Sequence, residues 1–100
     1  MPGGEATFVV SRLGRIEAVD DGACALLGYS RAELLAMHGA DLVLPAERPA
    51  VAVSLDGMRH GTITERPGRL QRKDGVIVAV AVHARLLEDD RLELRVRPHG

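Results

Sequence analysis

Aromatic side chains are almost missing from this chain of 100 residues: Phe8 and Tyr29 stand without a tryptophan. The core has to be built from Leu, Val and Ala. Readers of single-stranded nucleic acid stack bases on aromatic platforms, so that class is disfavoured. Planar cofactors such as flavin want the same neighbours and start at a disadvantage. Cysteine is nearly absent too, and Cys24 alone cannot close an internal disulfide. Neither charge sign dominates: 13 Lys and Arg against 14 Asp and Glu leave a formal net charge of -1. That balance argues against nucleic acid or an anionic membrane surface as the main partner. No apolar run approaches the ~18 residues of a membrane span. The N-terminus lacks the basic and apolar regions of a signal peptide. The expectation is a cytoplasmic domain that contacts neither nucleic acid nor membrane.

What is present suits one globular domain: 46% hydrophobic and 27% charged residues. A chain of this length buries roughly 65% of the surface its unfolded form exposes. Met1 to Glu5 reads as a loose flanking segment, residues 6–97 as the domain and 98–100 as a tail. The run Phe8-Val9-Val10 is short enough for a strand, and Ile16 to Val19 reads as a second. Simple alternation would turn Ile16 and Ala18 one way, Glu17 and Val19 the other. Leu13-Gly14-Arg15 between them fits a tight turn.

Asp20 or Asp21 suits a helix N-cap before Ala23 to Leu27, and Gly28 a left-handed end to that helix. Ser30-Arg31-Ala32-Glu33 is a capping box ahead of Leu34-Leu35 and Met37, with Gly39 expected to stop the helix. Asp41 would cap a short turn over Leu42 to Leu44. Pro45 opens the longest helical candidate, with Val51, Leu55 and Met58 on one stripe, Pro49 in the first turn and Gly61 at the close.

From Ile63 the period becomes two. Lys73-Asp74-Gly75 is a hairpin signal, and Val76 to Leu87 a long strand with Val78, Val80, Val82 and Ala84 on one face. Ile77, Ala79, Ala81, His83 and Arg85 take the other face. Glu88-Asp89-Asp90 is the next turn, and Leu92, Leu94 and Val96 alternate through the last strand. Pro67 cannot donate to a ladder, which puts its strand at a sheet edge. This element order implies an α+β fold: an antiparallel sheet with short helices on one face.

The stretch from Gly14 to Leu35 resembles a PAS domain. It holds Ala18-Val19-Asp20 at a strand end, Leu27-Gly28-Tyr29 after a short helix, and Ser30-Arg31-Ala32-Glu33-Leu34. A second match is Arg72-Lys73-Asp74-Gly75 before an alternating strand. Together they span about Ala6 to Arg97. The resemblance implies a five-stranded antiparallel sheet in the order 2-1-5-4-3, whose third strand is an edge. It also implies a structural part for Asp20, Gly28, Tyr29, Glu33, Lys73, Asp74 and Gly75, including a surface bridge from Glu33 to Lys73. Departures are Asp20 where Asn is common, Ala23 where an aromatic is common, and Pro98-His99-Gly100 where the family often carries a coupling Asp-Ile-Thr.

The function implied is a sensory and dimerisation module of a larger signalling protein, such as a sensor histidine kinase of a two-component system. The alternative is a ligand-free interaction module of a transcriptional or cyclic-nucleotide regulator. Either way, an effector domain would be covalently linked to it. Val10, Leu26, Leu35, Leu42, Val51, Leu55, Val78 and Val80 are the candidate cavity lining. No cofactor is expected, and haem and flavin are disfavoured. The light-sensing Asn-Cys-Arg-Phe motif is missing, so Cys24 reads as a small buried hydrophobe. Haem ligands in oxygen-sensing relatives face the pocket from the long helix. Here His38 falls in a loop, His60 at that helix's end, His83 on the far sheet face and His99 in the tail. No metal-spaced His pair, phosphate loop or nucleophile elbow appears, so the domain is not read as an enzyme. Ile77, Ala79, Ala81 and His83 are the candidate interface of a homodimer built on the outer sheet face.

Overall fold

Alternation of apolar side chains turns Ala6, Phe8 and Val10 to one side of the first strand, β1 (Ala6–Val10), and all three are buried. The structure, a computed structural model, describes residues 5–60 and 65–98, with the side chains at 54, 58 and 59 outside that description. A hairpin leads into β2 (Ile16–Val19), followed by α1 (Asp21–Leu27) and α2 (Arg31–Leu35). Two 3-10 turns come next, Gly39–Leu42 and Pro45–Glu47, then α3 (Arg48–Arg59). The chain closes with β3 (Glu65–Gln71), β4 (Ile77–Leu86) and β5 (Leu92–Pro98). All pairings are antiparallel and the sheet order is β2-β1-β5-β4-β3. Pro67 lies on β3, an edge strand, where a residue without an N–H is tolerated.

The core lies between the sheet and the helices. Leu27, Leu34, Val80 and Leu92 are its largest fully enclosed side chains, each contributing about 1.5–3 kcal/mol by leaving water. Phe8 joins them, and Tyr29 packs against the cluster from outside.

Several local expectations are corrected. The register between β1 and β2 shifts at Val9 and Val10, so Ile16 and Val19 both face the core while Glu17 and Ala18 are exposed. A bulge inserts one extra residue and breaks the period of two. Gly39 does not end α2, which stops at Leu35; Gly39 opens the first 3-10 turn instead. The turn expected over Leu42 to Leu44 with Asp41 as its cap lies earlier, over Gly39–Leu42; its cap is His38, and the Asp41 carboxylate accepts the His38 N–H at 3.0 Å. Pro45 opens a 3-10 turn and not α3. Arg48 N–H takes the Pro45 carbonyl in the three-residue pattern. Pro49 has no N–H to take it in the α pattern. Strand β5 runs one residue beyond the expected domain edge, to Pro98. Met58 as a stripe residue, Gly61 as a helix end, the strand start at Ile63, His99 and the flanking segment before Glu5 lie outside the described residues.

Candidate functional site

Two features of the helical side define the site: how the helices are fastened to the sheet, and what they leave between. Asp20 Oδ1 accepts the Thr7 N–H at 3.0 Å and the Ala23 N–H at 2.9 Å. One carboxylate therefore caps α1 and ties it to β1. At the other end Gly28 (φ 78) closes the helix, its N–H on the Cys24 carbonyl at 2.8 Å. The last carbonyls of α1 still need donors. The β3–β4 turn supplies them: Arg72 Nη1 donates to Leu26 O at 2.8 Å and Lys73 N–H to Leu27 O at 2.9 Å.

The same turn holds α2. Lys73 Nζ reaches Glu33 Oε2 at 2.6 Å, while Glu33 Oε1 accepts the Ser30 N–H at 2.8 Å. The Lys73 ammonium, then the Ser30 N–H, hold the Glu33 carboxyl below its ordinary value of 4.5. Asp74 Oδ1 accepts the Val76 N–H at 3.0 Å and Gly75 takes φ 91, so the turn itself is fixed. The sequence places Arg72 in the Arg-Lys-Asp-Gly match without giving it a structural part. A cation beside Lys-Asp-Gly, with the last carbonyls of a short helix upstream still to be met, is the available signal.

Between the sheet and α3 lies a cavity of about 180 Å³ with an almost wholly apolar wall. Val10, Leu42, Val51, Leu55 and Val80 line it, as the sequence pattern anticipates. Phe8, Ile16, Leu70, Val82, Leu94 and Val96 line it as well. Three expected residues do not. Leu26 is buried against the core and Val78 half-buried beside it. Leu35 is 38% exposed, because α2 turns only Leu34 inward and the next residue lies about 100° further round.

The rim is polar. Glu47, Arg48, Arg66 and Arg69 stand there, with Glu47 and Arg69 joined as an ion pair. His38 is also on the wall, a place its loop position did not suggest. Its Nδ1 accepts the Ala40 N–H at 3.0 Å, so Nε2 carries the proton and lies 2.5 Å from the Leu13 carbonyl. Its ring sits over Gly14, where a Cβ would come within 2.5 Å of it and where φ is +87°. Only glycine meets both conditions. His60 and His83 are exposed, and Cys24 is half-buried in α1. No cluster of three metal-ligating side chains occurs among the described residues.

On the outer sheet face Ile77 and Ala79 are exposed and Ala81 half-buried, a narrow apolar strip along β4. Beside it Arg97 lies 4.0 Å from Glu5 and 3.9 Å from Glu65. Arg85 and Arg95 each approach Glu93 at 3.5 Å. His83 sits opposite Glu65 and Arg95 in the ladder.

The family described as PAS fold matches residues 16–96. The chain belongs to the PAS family. Among solved structures, a domain of a sensory box sensor histidine kinase/response regulator from Geobacter sulfurreducens is 24% identical with a TM-score of 0.84, covering 93% of this chain and 82% of that one. The PAS domain of an HTR-like protein from Haloarcula marismortui is 25% identical at TM-score 0.79, over 98% and 84%. The PAS domain of the RpfR quorum-sensing receptor from Cronobacter turicensis, in complex with BDSF, is 14% identical at TM-score 0.83, over 100% and 98%. No curated protein sequence matches. PAS domains are in general sensory, non-catalytic modules, and a sensory role is the coarse function carried by this membership. No helix among the described residues is long and apolar enough to cross a membrane.

Proposed function

We propose that this PAS domain is the ligand-sensing and dimerisation module of a larger cytoplasmic signalling protein, such as a sensor histidine kinase. The observation that carries the reading is the apolar cavity of about 180 Å³ under α3. It is smaller than the roughly 300–1,000 Å³ of drug-sized ligand sites. A small apolar metabolite suits it better than haem or flavin. Helix α3 packs mainly on β4 and the preceding 3-10 turn, so a filled cavity would shift it against the sheet. Signal transfer would be a change in the population of two packings.

Two further parts belong to the same reading. The strip Ile77, Ala79 and Ala81 is proposed to meet a second copy. The linked effector would be reached through the paired ends of β1 and β5, where Ala6 lies opposite Val96. The similar structures from a sensor histidine kinase and a quorum-sensing receptor support the sensory assignment.

Native mass spectrometry of the purified protein tests the ligand. A retained small molecule is expected, with no Soret or flavin band in the absorbance spectrum. Ligand-free protein whose melting temperature no small apolar compound raises would defeat the sensing reading and leave an interaction module.

A further inference from the structure

The cavity's wall and its rim call for different things from an occupant. The wall is apolar, but among the described residues the rim carries the guanidiniums of Arg48, Arg66 and Arg69 together with the carboxylate of Glu47. Glu47 is the more sheltered partner of its pair, its side chain 27% exposed against 57% for Arg69. Arg48 is pinned in place by its Nε, which donates to the Ala40 carbonyl at 3.0 Å. A guanidinium has five N–H donors, so that one bond leaves it able to grip a carboxylate. Arg66 stands on the core side of β3, opposite Val82, and its Nε donates to the Pro67 carbonyl at 2.9 Å. The rim thus gathers guanidiniums around one carboxylate, and the Arg69–Glu47 pair is already formed there.

We infer that the ligand is a small organic monocarboxylate, which takes Arg69 from Glu47 on binding. The inference rests on the ligand-sensing reading above and deepens it. The planar two-oxygen head matches the guanidinium fork. The body must be apolar and near the size of a benzene ring, since a dry cavity of about 150 Å³ accommodates benzene. A second negative charge would have to enter the apolar wall, where no partner awaits it. The exchange also carries a signal. The Glu47–Arg69 pair ties the segment leading into α3 to the edge strand β3, and the incoming carboxylate unties it.

Titration of the isotope-labelled chain, followed by amide NMR, tests this with phenylacetate and hexanoate against phenylacetamide and hexanamide. The carboxylates are expected to bind about tenfold tighter than their amides, the margin shrinking with added salt. Glu47→Gln removes the competitor and is expected to tighten carboxylate binding severalfold while leaving the amides unchanged. Arg48→Gln is expected to weaken it. Both variants are melted first, and the acid–amide comparison on the native chain stands even if neither folds. Amides binding as well as the acids, or Glu47→Gln without effect on the acids, would overturn the anion assignment and leave the sensing reading intact. If none of the four compounds binds, the carboxylate assignment falls, and the native mass spectrum decides the sensing reading separately.

Discussion

Glu33 shows how one side chain can do two jobs. Its Oε1 completes the capping box of α2 and its Oε2 receives the Lys73 ammonium. Both donors favour the ionised form, so the folded pKa lies below the ordinary 4.5. A lowered folded pKa adds stability that is present above the unfolded value and is lost as the pH falls through the folded one. Glu33→Gln is therefore expected to melt below the native chain at neutral pH. The difference should close as the pH falls below the carboxylate range. A gap of constant size from neutral to acid would show that the charge is not what matters. Both groups are solvent-exposed, so the effect is small and falls with salt.

At the scale of elements, Arg72 is the more instructive residue. Its guanidinium reaches one of the last carbonyls of a helix of seven residues, far too short to hold itself. Replacing it with Met keeps the stem and removes the donor. The expected loss is about 1 kcal/mol, that of an ordinary hydrogen bond and below the charge-assisted range, because the site is partly open to water. That corresponds to a fall in Tm of roughly 4–8 °C for a domain of this size. Hydrogen exchange should quicken in α1 more than in β4, and equal exchange in both would contradict the capping role.

Much of this layer was legible in the sequence. An Asp cap at 20 or 21, the Ser30–Glu33 box, the Lys-Asp-Gly turn and the edge position of Pro67 follow from local chemistry that needs no knowledge of the far chain. What escaped depends on partners distant in sequence. The bulge at Val9 and Val10 is a property of two strands together. His38 becomes a cap and a cavity wall only because the hairpin turn at Gly14 lies under its ring. The outward turn of Leu35 depends on where α2 meets the sheet. Val10, Val51, Leu55 and Val80 face the cavity because strand and helix periods fix their faces. The charged rim joins residues from β3 and the approach to α3, which no single period connects.

For the whole molecule, the open question of shape is the outer face. Among the described residues, β5 pairs with β4 from Val80 to Leu86, and Ile77 and Ala79 lie outside that pairing. Their cross-strand neighbours are Gln71 and Arg69 of the edge strand. If a second copy sits there, Ala79→Glu places a charge in an apolar contact. The native chain is then expected to sediment as a dimer at high concentration. The variant would be a monomer that melts where the native chain melts at high dilution, since Ala79 is exposed within one copy. A native chain that stays monomeric would remove the dimer.

The sheet order has a consequence for how the domain comes into being. The first strand made, β1, lies between β2 and the last strand made, β5. Until Leu92–Pro98 has emerged from the ribosome, β1 and β2 are a two-stranded ribbon with one side unmet, and such ribbons are marginal in water. The turn that caps α1 also arrives late, since Arg72 and Leu26 are far apart in the chain. Folding must wait for nearly the entire domain, as slow long-range pairing requires. Synthesis halted before β5 would yield no smaller version of the domain, only a nascent chain with β1 exposed to other proteins.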